Sequence, residues 1–119
     1  MRDSVLSDKS MDFAVKVLSL VKALQRKQEF LVSKQLGRCG TSIGANIREA
    51  QYAQSRVDFI SKLQIALKEN NETDYWLELL LRTGEIDEET YVAFSTDCKE
   101  LKAMLIAAVN TAKKNSTLG

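Results

Sequence analysis

Histidine and proline are absent from this 119-residue chain, and cysteine occurs only twice. Without histidine, the chain lacks the commonest general base and the commonest protein metal ligand. A ferritin-like di-iron site needs a Glu-x-x-His pair on each of two helices, and a structural zinc site usually takes four ligands. No serine or cysteine has a histidine to activate it. We therefore expect no enzymatic activity, no metal and no cofactor.

The two cysteines, Cys39 and Cys98, fall at positions of apolar helical stripes. We expect two buried, reduced thiols that pack as small hydrophobic groups, with a disulfide as the alternative. The first residues have no apolar segment of signal-peptide length, and no stretch approaches the roughly 20 apolar residues that cross a membrane. The expected location is the cytoplasm.

The absence of proline favours long helices, and 45% of the residues are apolar. Short connections and the lack of strand-like alternation predict an all-α, antiparallel up-down-up-down four-helix bundle. Residues 1–119 should form one domain, with a loose lead-in over 1–7 and a frayed end over 115–119. The four helices are expected at about 8–27, 29–53, 56–83 and 87–114.

The helix ends have their own signals. Ser7, Ser55 and Asp87 are expected to cap helices 1, 3 and 4, and Gly84 suits the position after helix 3. Helix 1 should bury an apolar stripe that includes Leu18.

Three of the five glycines lie close together within the second helix. At about 100° per residue, Gly37, Gly40 and Gly44 share one face. Glycine costs a helix about 1 kcal/mol relative to alanine, so three in one helix need a reason. We expect them to form a groove in which a second helix packs closely.

Helix 3 has two apolar stripes, whereas a helix in an isolated bundle needs only one. The second stripe consists of Ile65, Trp76 and Leu79, and we interpret it as an interface between subunits. The alternative is that Trp76 covers a neighbouring helix of its own subunit.

Polar residues interrupt the first stripe of helix 3 at Asn70 and Asp74, and Asn46 lies at the edge of the apolar face of helix 2. One interpretation is a ligand or partner site. The interpretation that we favour is a buried polar network that sets helix register and reaches Asn46 or Thr41.

The net charge of +1 hides an uneven distribution. Residues 1–68 carry +6, residues 69–100 carry −8 and residues 101–119 carry +3. One interpretation is a basic surface for nucleic-acid phosphates, for which the candidates are Lys16, Lys27, Lys34 and Arg38. The interpretation that we favour is charge complementarity within or between subunits.

Two segments resemble a known family. R-C-G-T-S-I-G-A-N-I-R-E-A (Arg38–Ala50) and S-R-V-D-F-I-S-K-L-Q-I-A-L-K-E-N-N-E-T-D-Y-W-L-E-L-L (Ser55–Leu80) are similar to the bacterial four-helix bundle proteins encoded by intervening sequences in large-subunit rRNA genes. The resemblance implies a homopentameric ring. It also implies kinship with the nucleic-acid-binding accessory protein of diversity-generating retroelements, but it supplies no catalytic residues.

The leading hypothesis is therefore a non-enzymatic, homo-oligomeric helical bundle that acts in assembly or interaction. Its expected partner is itself, as a pentamer. The alternative is an RNA- or DNA-binding accessory protein that uses the basic first half of the chain.

Overall fold

The computed structural model describes the backbone of residues 4–118 and the side chains of residues 5–115. Four α-helices account for nearly all of this part of the chain, and no strand occurs in it. The expected all-α, four-helix fold is confirmed. The helices are α1 (Ser4–Arg26), α2 (Phe30–Gln51), α3 (Arg56–Arg82) and α4 (Glu88–Leu118).

Two helix ends differ from the sequence-based expectation. Helix α1 begins at Ser4, so Ser7 lies inside the helix, where its carbonyl accepts a hydrogen bond from the Ser10 hydroxyl. Helix α4 continues to Leu118, through most of the segment that we expected to fray. Residues 1–3 of the expected lead-in and Gly119 lie outside the described residues.

Side-chain caps define the starts of the other three helices. The Ser55 hydroxyl accepts a hydrogen bond from the Asp58 amide at 3.0 Å, and the Asp87 carboxylate accepts one from the Thr90 amide at 2.7 Å. The Glu29 carboxylate accepts one from the Val32 amide in the same way at the start of α2. These bonds satisfy amides that have no partner within the helix.

The turn after α3 depends on a glycine. Gly84 has a φ of +77°, a left-handed conformation that a residue with a Cβ rarely adopts. Its amide donates to the Leu81 carbonyl, and the Glu85 amide donates to the Leu80 carbonyl. The turn thereby ends α3 and reverses the chain into α4.

The core runs along the bundle and receives side chains from all four helices. Its largest fully buried members include Phe13, Leu36, Leu77 and Leu105. The expectation for α1 was wrong at one position, because Leu18 is 47% exposed. In α3 the buried residues include Leu80 and Thr73.

Candidate interaction surfaces

The three glycines of α2 face α1. A Cβ at Gly40 would lie 2.8 Å from Val17 Cγ1, and one at Gly37 would lie 3.5 Å from Val21 Cγ2. A Cβ at Gly44 would lie 3.3 Å from the Ser10 hydroxyl oxygen. The three glycines therefore face Val21, Val17 and Ser10 in turn, so the residue numbers fall along α1 as they rise along α2. This order is that of two antiparallel helices. Gly40 is the position where the approach leaves no room for a methyl group.

The second stripe of α3 is partly exposed, and we call it the α3 face. Ile65 is exposed, whereas Trp76 and Leu79 are half-buried and pack against the core of their own chain. The Trp76 indole N–H donates to the Glu72 carboxylate at 3.1 Å, and its ring meets the exposed Tyr75 ring edge-on at 5.0 Å. Trp76 therefore contributes both to the core and to an exposed apolar ridge.

A second exposed apolar ridge lies on α1, and we call it the α1 face. It consists of Met11, Val15 and Leu18, which are 50%, 62% and 47% exposed. Beside Met11, a groove of about 470 Å³ opens between α1 and α2. The sequence-based interpretation missed this ridge, although the spacing of four and three residues would have indicated it.

Most of the candidate basic residues are paired with acids of the same chain. Lys16 contacts Asp97 at 3.0 Å and Lys27 contacts Glu85 at 3.2 Å. Of the four candidates, only Lys34 forms no ion pair within the part of the chain that the structure describes. The basic first half therefore meets the acidic second half within one chain, which reduces the cationic surface left for phosphates.

The fourth candidate, Arg38, forms the densest of these contacts. Its guanidinium reaches Glu69 at 3.3 Å and also binds Glu72, the residue that accepts the Trp76 indole hydrogen bond. A guanidinium held between two carboxylates links α2 to α3 next to the α3 face. The same contact orients Glu72 beneath Trp76.

The polar residues of the helix interiors do not form the network that we expected. The Asn70 side-chain amide donates to the Cys98 carbonyl of α4 at 2.8 Å, so its partner is neither Asn46 nor Thr41. Those two bond back within α2, to the carbonyls of Ser42 and Gly37 respectively. In α3, Oδ1 of Asn70 and Oδ1 of Asp74 are buried without a hydrogen-bond partner among the described residues.

Both cysteines are free and buried, as expected. Burial raises the pKa of Cys39 and raises that of Cys98 much further, with the Asp74 carboxylate adding to the second shift. The Thr73 hydroxyl donates to Cys39 Sγ at 3.2 Å across the contact between α2 and α3. Both thiols therefore stay protonated and unreactive near neutral pH.

The described residues contain no group of three or more histidine, cysteine, aspartate or glutamate side chains that could hold a metal ion. Within the same part of the chain, no helix combines the length and the apolar character that a membrane span requires.

Comparisons with known proteins agree with this architecture. A crystal structure of a protein of unknown function from the S23 ribosomal protein family of Bacteroides thetaiotaomicron VPI-5482 is 55% identical to the chain. It superposes with a TM-score of 0.89, and the match covers 92% of this chain and 99% of that one. A comparison with curated proteins gave no significant match.

The family model described as 23S rRNA-intervening sequence protein matches residues 2–107. This match spans both segments on which the resemblance was recognised, Arg38–Ala50 and Ser55–Leu80, and it confirms the family expected from them. The chain belongs to the 23S rRNA-intervening sequence protein family.

Proposed function

We propose that the protein is a non-enzymatic helical bundle that works by assembling with copies of itself. The observation that carries the proposal is the α3 face, where an exposed isoleucine, a half-buried tryptophan and a half-buried leucine lie on one side of the helix. Exposed apolar patches of this kind mark interaction sites. Tryptophan is also enriched among the residues that dominate interface energy.

The α1 face supports a particular geometry of assembly. The α1 face and the α3 face are different surfaces of one subunit, so each can be covered by the other surface of a neighbouring copy. Such head-to-tail contacts close into a ring when the rotation between subunits allows it. A pentameric ring, as the family resemblance implies, would use both faces of every subunit. In such a ring, all six apolar side chains of the α1 face and the α3 face would be covered in every subunit.

Measuring the mass in solution tests the assembly. The chain mass is 13.4 kDa, so light scattering on the wild type should give a multiple of it, with five copies expected. Ile65→Glu places a charge on the α3 face with little effect on the core, and it should give a smaller species that remains helical. Val92→Glu is the matched control, because Val92 is an exposed apolar residue of α4 outside both faces.

The geometry of the contact is tested by mixing two variants. Val15→Glu blocks the α1 face and Ile65→Glu blocks the α3 face, so neither variant should form a ring alone. When they are mixed, one intact contact remains, and a dimer containing one copy of each should form. A monomeric wild type would refute the assembly. If Ile65→Glu still forms a ring, the α3 face is not part of the interface. If Val15→Glu assembles fully, the α3 face does not pair with the α1 face.

A further inference from the structure

A separate cavity lies at the end of the bundle where α2 connects to α3, away from both apolar faces. Its volume is about 620 Å³, within the range of about 300–1,000 Å³ that is typical of small-molecule sites. All four helices line it, and we call it the end groove. Its apolar wall includes Leu6 of α1, Ile47 of α2, Phe59 and Leu63 of α3, and Ala108 of α4.

Small side chains of α4 line the end groove, among them Ala108, Thr111 and Ala112. Leu101 and Leu105 fill the middle of the bundle, whereas Ala108 and Ala112 continue the same stripe at the groove. A methyl group in place of an isobutyl group leaves the space between α4 and α1 unfilled.

Among the described residues that line the end groove, the charge has one sign. Arg56 is the only charged residue among them, and none of them is acidic. Arg56 is exposed and forms no ion pair with another described residue. Leu63, seven residues further along α3, is buried at 2% exposure. An α-helix rises 1.5 Å per residue, so Arg56 at the rim and Leu63 at the apolar floor are about 10 Å apart along α3.

We propose that the end groove binds a small amphiphilic anion, a carboxylate with an apolar tail. The tail lies along Phe59 and Leu63, and the carboxylate pairs with Arg56 at the rim. A guanidinium binds a carboxylate through two parallel hydrogen bonds, so it selects this head group over a neutral one. Thr111 and Asn115, which also line the groove, add hydrogen-bonding groups from α4. The site is independent of the proposed assembly, because it shares no residue with either apolar face.

Calorimetric titration of the full chain with decanoate, kept below its micelle concentration, tests the proposal. Wild type should bind one decanoate per chain, and decanol, which has the same tail without the charge, should bind more weakly. Arg56→Gln should weaken decanoate binding about tenfold and leave decanol binding unchanged. Lys68→Gln is the matched control, because Lys68 is an exposed cation of the same helix outside the groove. It should bind decanoate as wild type does.

Filling the groove is the second arm of the test. Ala112→Leu should abolish binding of both ligands while the helical signal and the melting temperature are maintained. Ala108→Leu, at a half-buried position, repeats the test if Ala112→Leu does not fold. Any of the following results would overturn the proposal: no decanoate binding by wild type, equal affinities of Arg56→Gln and Lys68→Gln, or undiminished binding in both filled variants. A loss of assembly mass in the filled variants would also overturn it, since a second copy would then occupy the groove.

Discussion

Replacing Gly40 by alanine tests the closest of the three glycine contacts between α2 and α1. The added methyl group would lie 2.8 Å from Cγ1, 3.0 Å from Cγ2 and 3.3 Å from Cβ of Val17. Val17 is fully buried, and its β-branched side chain has one strongly preferred rotamer in a helix. Neither rotation of the side chain nor movement into solvent can relieve the contact. Helices α1 and α2 must therefore move apart.

The magnitude follows from two opposing terms. Overpacking a well-packed core costs about 1–3 kcal/mol, whereas alanine gains up to about 1 kcal/mol over glycine in a helix interior. Gly37→Ala is the matched control on the same face, because its methyl group would meet Val21 Cγ2 at an ordinary 3.5 Å. Gly37→Ala keeps the helical gain without the clash. The two variants should therefore differ in unfolding free energy by about 1–3 kcal/mol, with Gly40→Ala less stable.

Urea unfolding followed by circular dichroism measures this difference. The double variant Gly40→Ala/Val17→Ala removes both Val17 methyl groups that cause the clash. Its free energy of unfolding should exceed the value expected from adding the two single effects, as it does for residues in contact. Equal stability of Gly40→Ala and Gly37→Ala, or strict additivity in the double variant, would refute the close contact.

Two further predictions concern a buried thiol and a helix cap. Because burial raises the pKa of Cys98 above its ordinary value of 9.0, the unfolded thiol ionises first. The protonated thiol therefore contributes fully to the free energy of unfolding below about pH 9. That contribution is lost progressively as the pH rises further. Cys98→Ala should reduce the loss of unfolding free energy between about pH 8 and about pH 10.5 in urea titrations, and an unchanged slope would contradict this. Ser55→Ala removes the cap of α3 and should cost about 1 kcal/mol, whereas Ser61→Ala, an exposed change within the same helix, should cost less in the same assay. Equal costs would show that the cap contributes nothing.

Local rules explain which features the sequence determined by itself. The lack of proline, the cap at Ser55 and the glycine at Gly84 act within a few residues of their own position, so the helices and most of their ends followed from the chain. The glycine face of α2 followed from helical periodicity alone. The family followed from two segments, because a long and specific match in sequence identifies a family without knowledge of the structure.

Only the tertiary structure decided which residues meet across helices. Periodicity gives the angle of a side chain on its own helix, but it does not say which neighbour lies opposite. The pairing of Lys16 with Asp97 joins positions 81 residues apart, and the bond from Asn70 to Cys98 joins positions 28 apart. Leu18 fits an apolar stripe by its spacing, yet it lies on the outer side of α1 because the core is reached by Val17 and Val21.

The end groove shows the same limit most clearly. Its α4 alanines are ordinary helix formers in the sequence, and the space beside them depends on the side chains that α1, α2 and α3 place at the same level of the bundle. The volume of a cavity is a property of several helices together, because it is what their side chains fail to fill. Composition and periodicity describe one helix at a time and contain no such quantity.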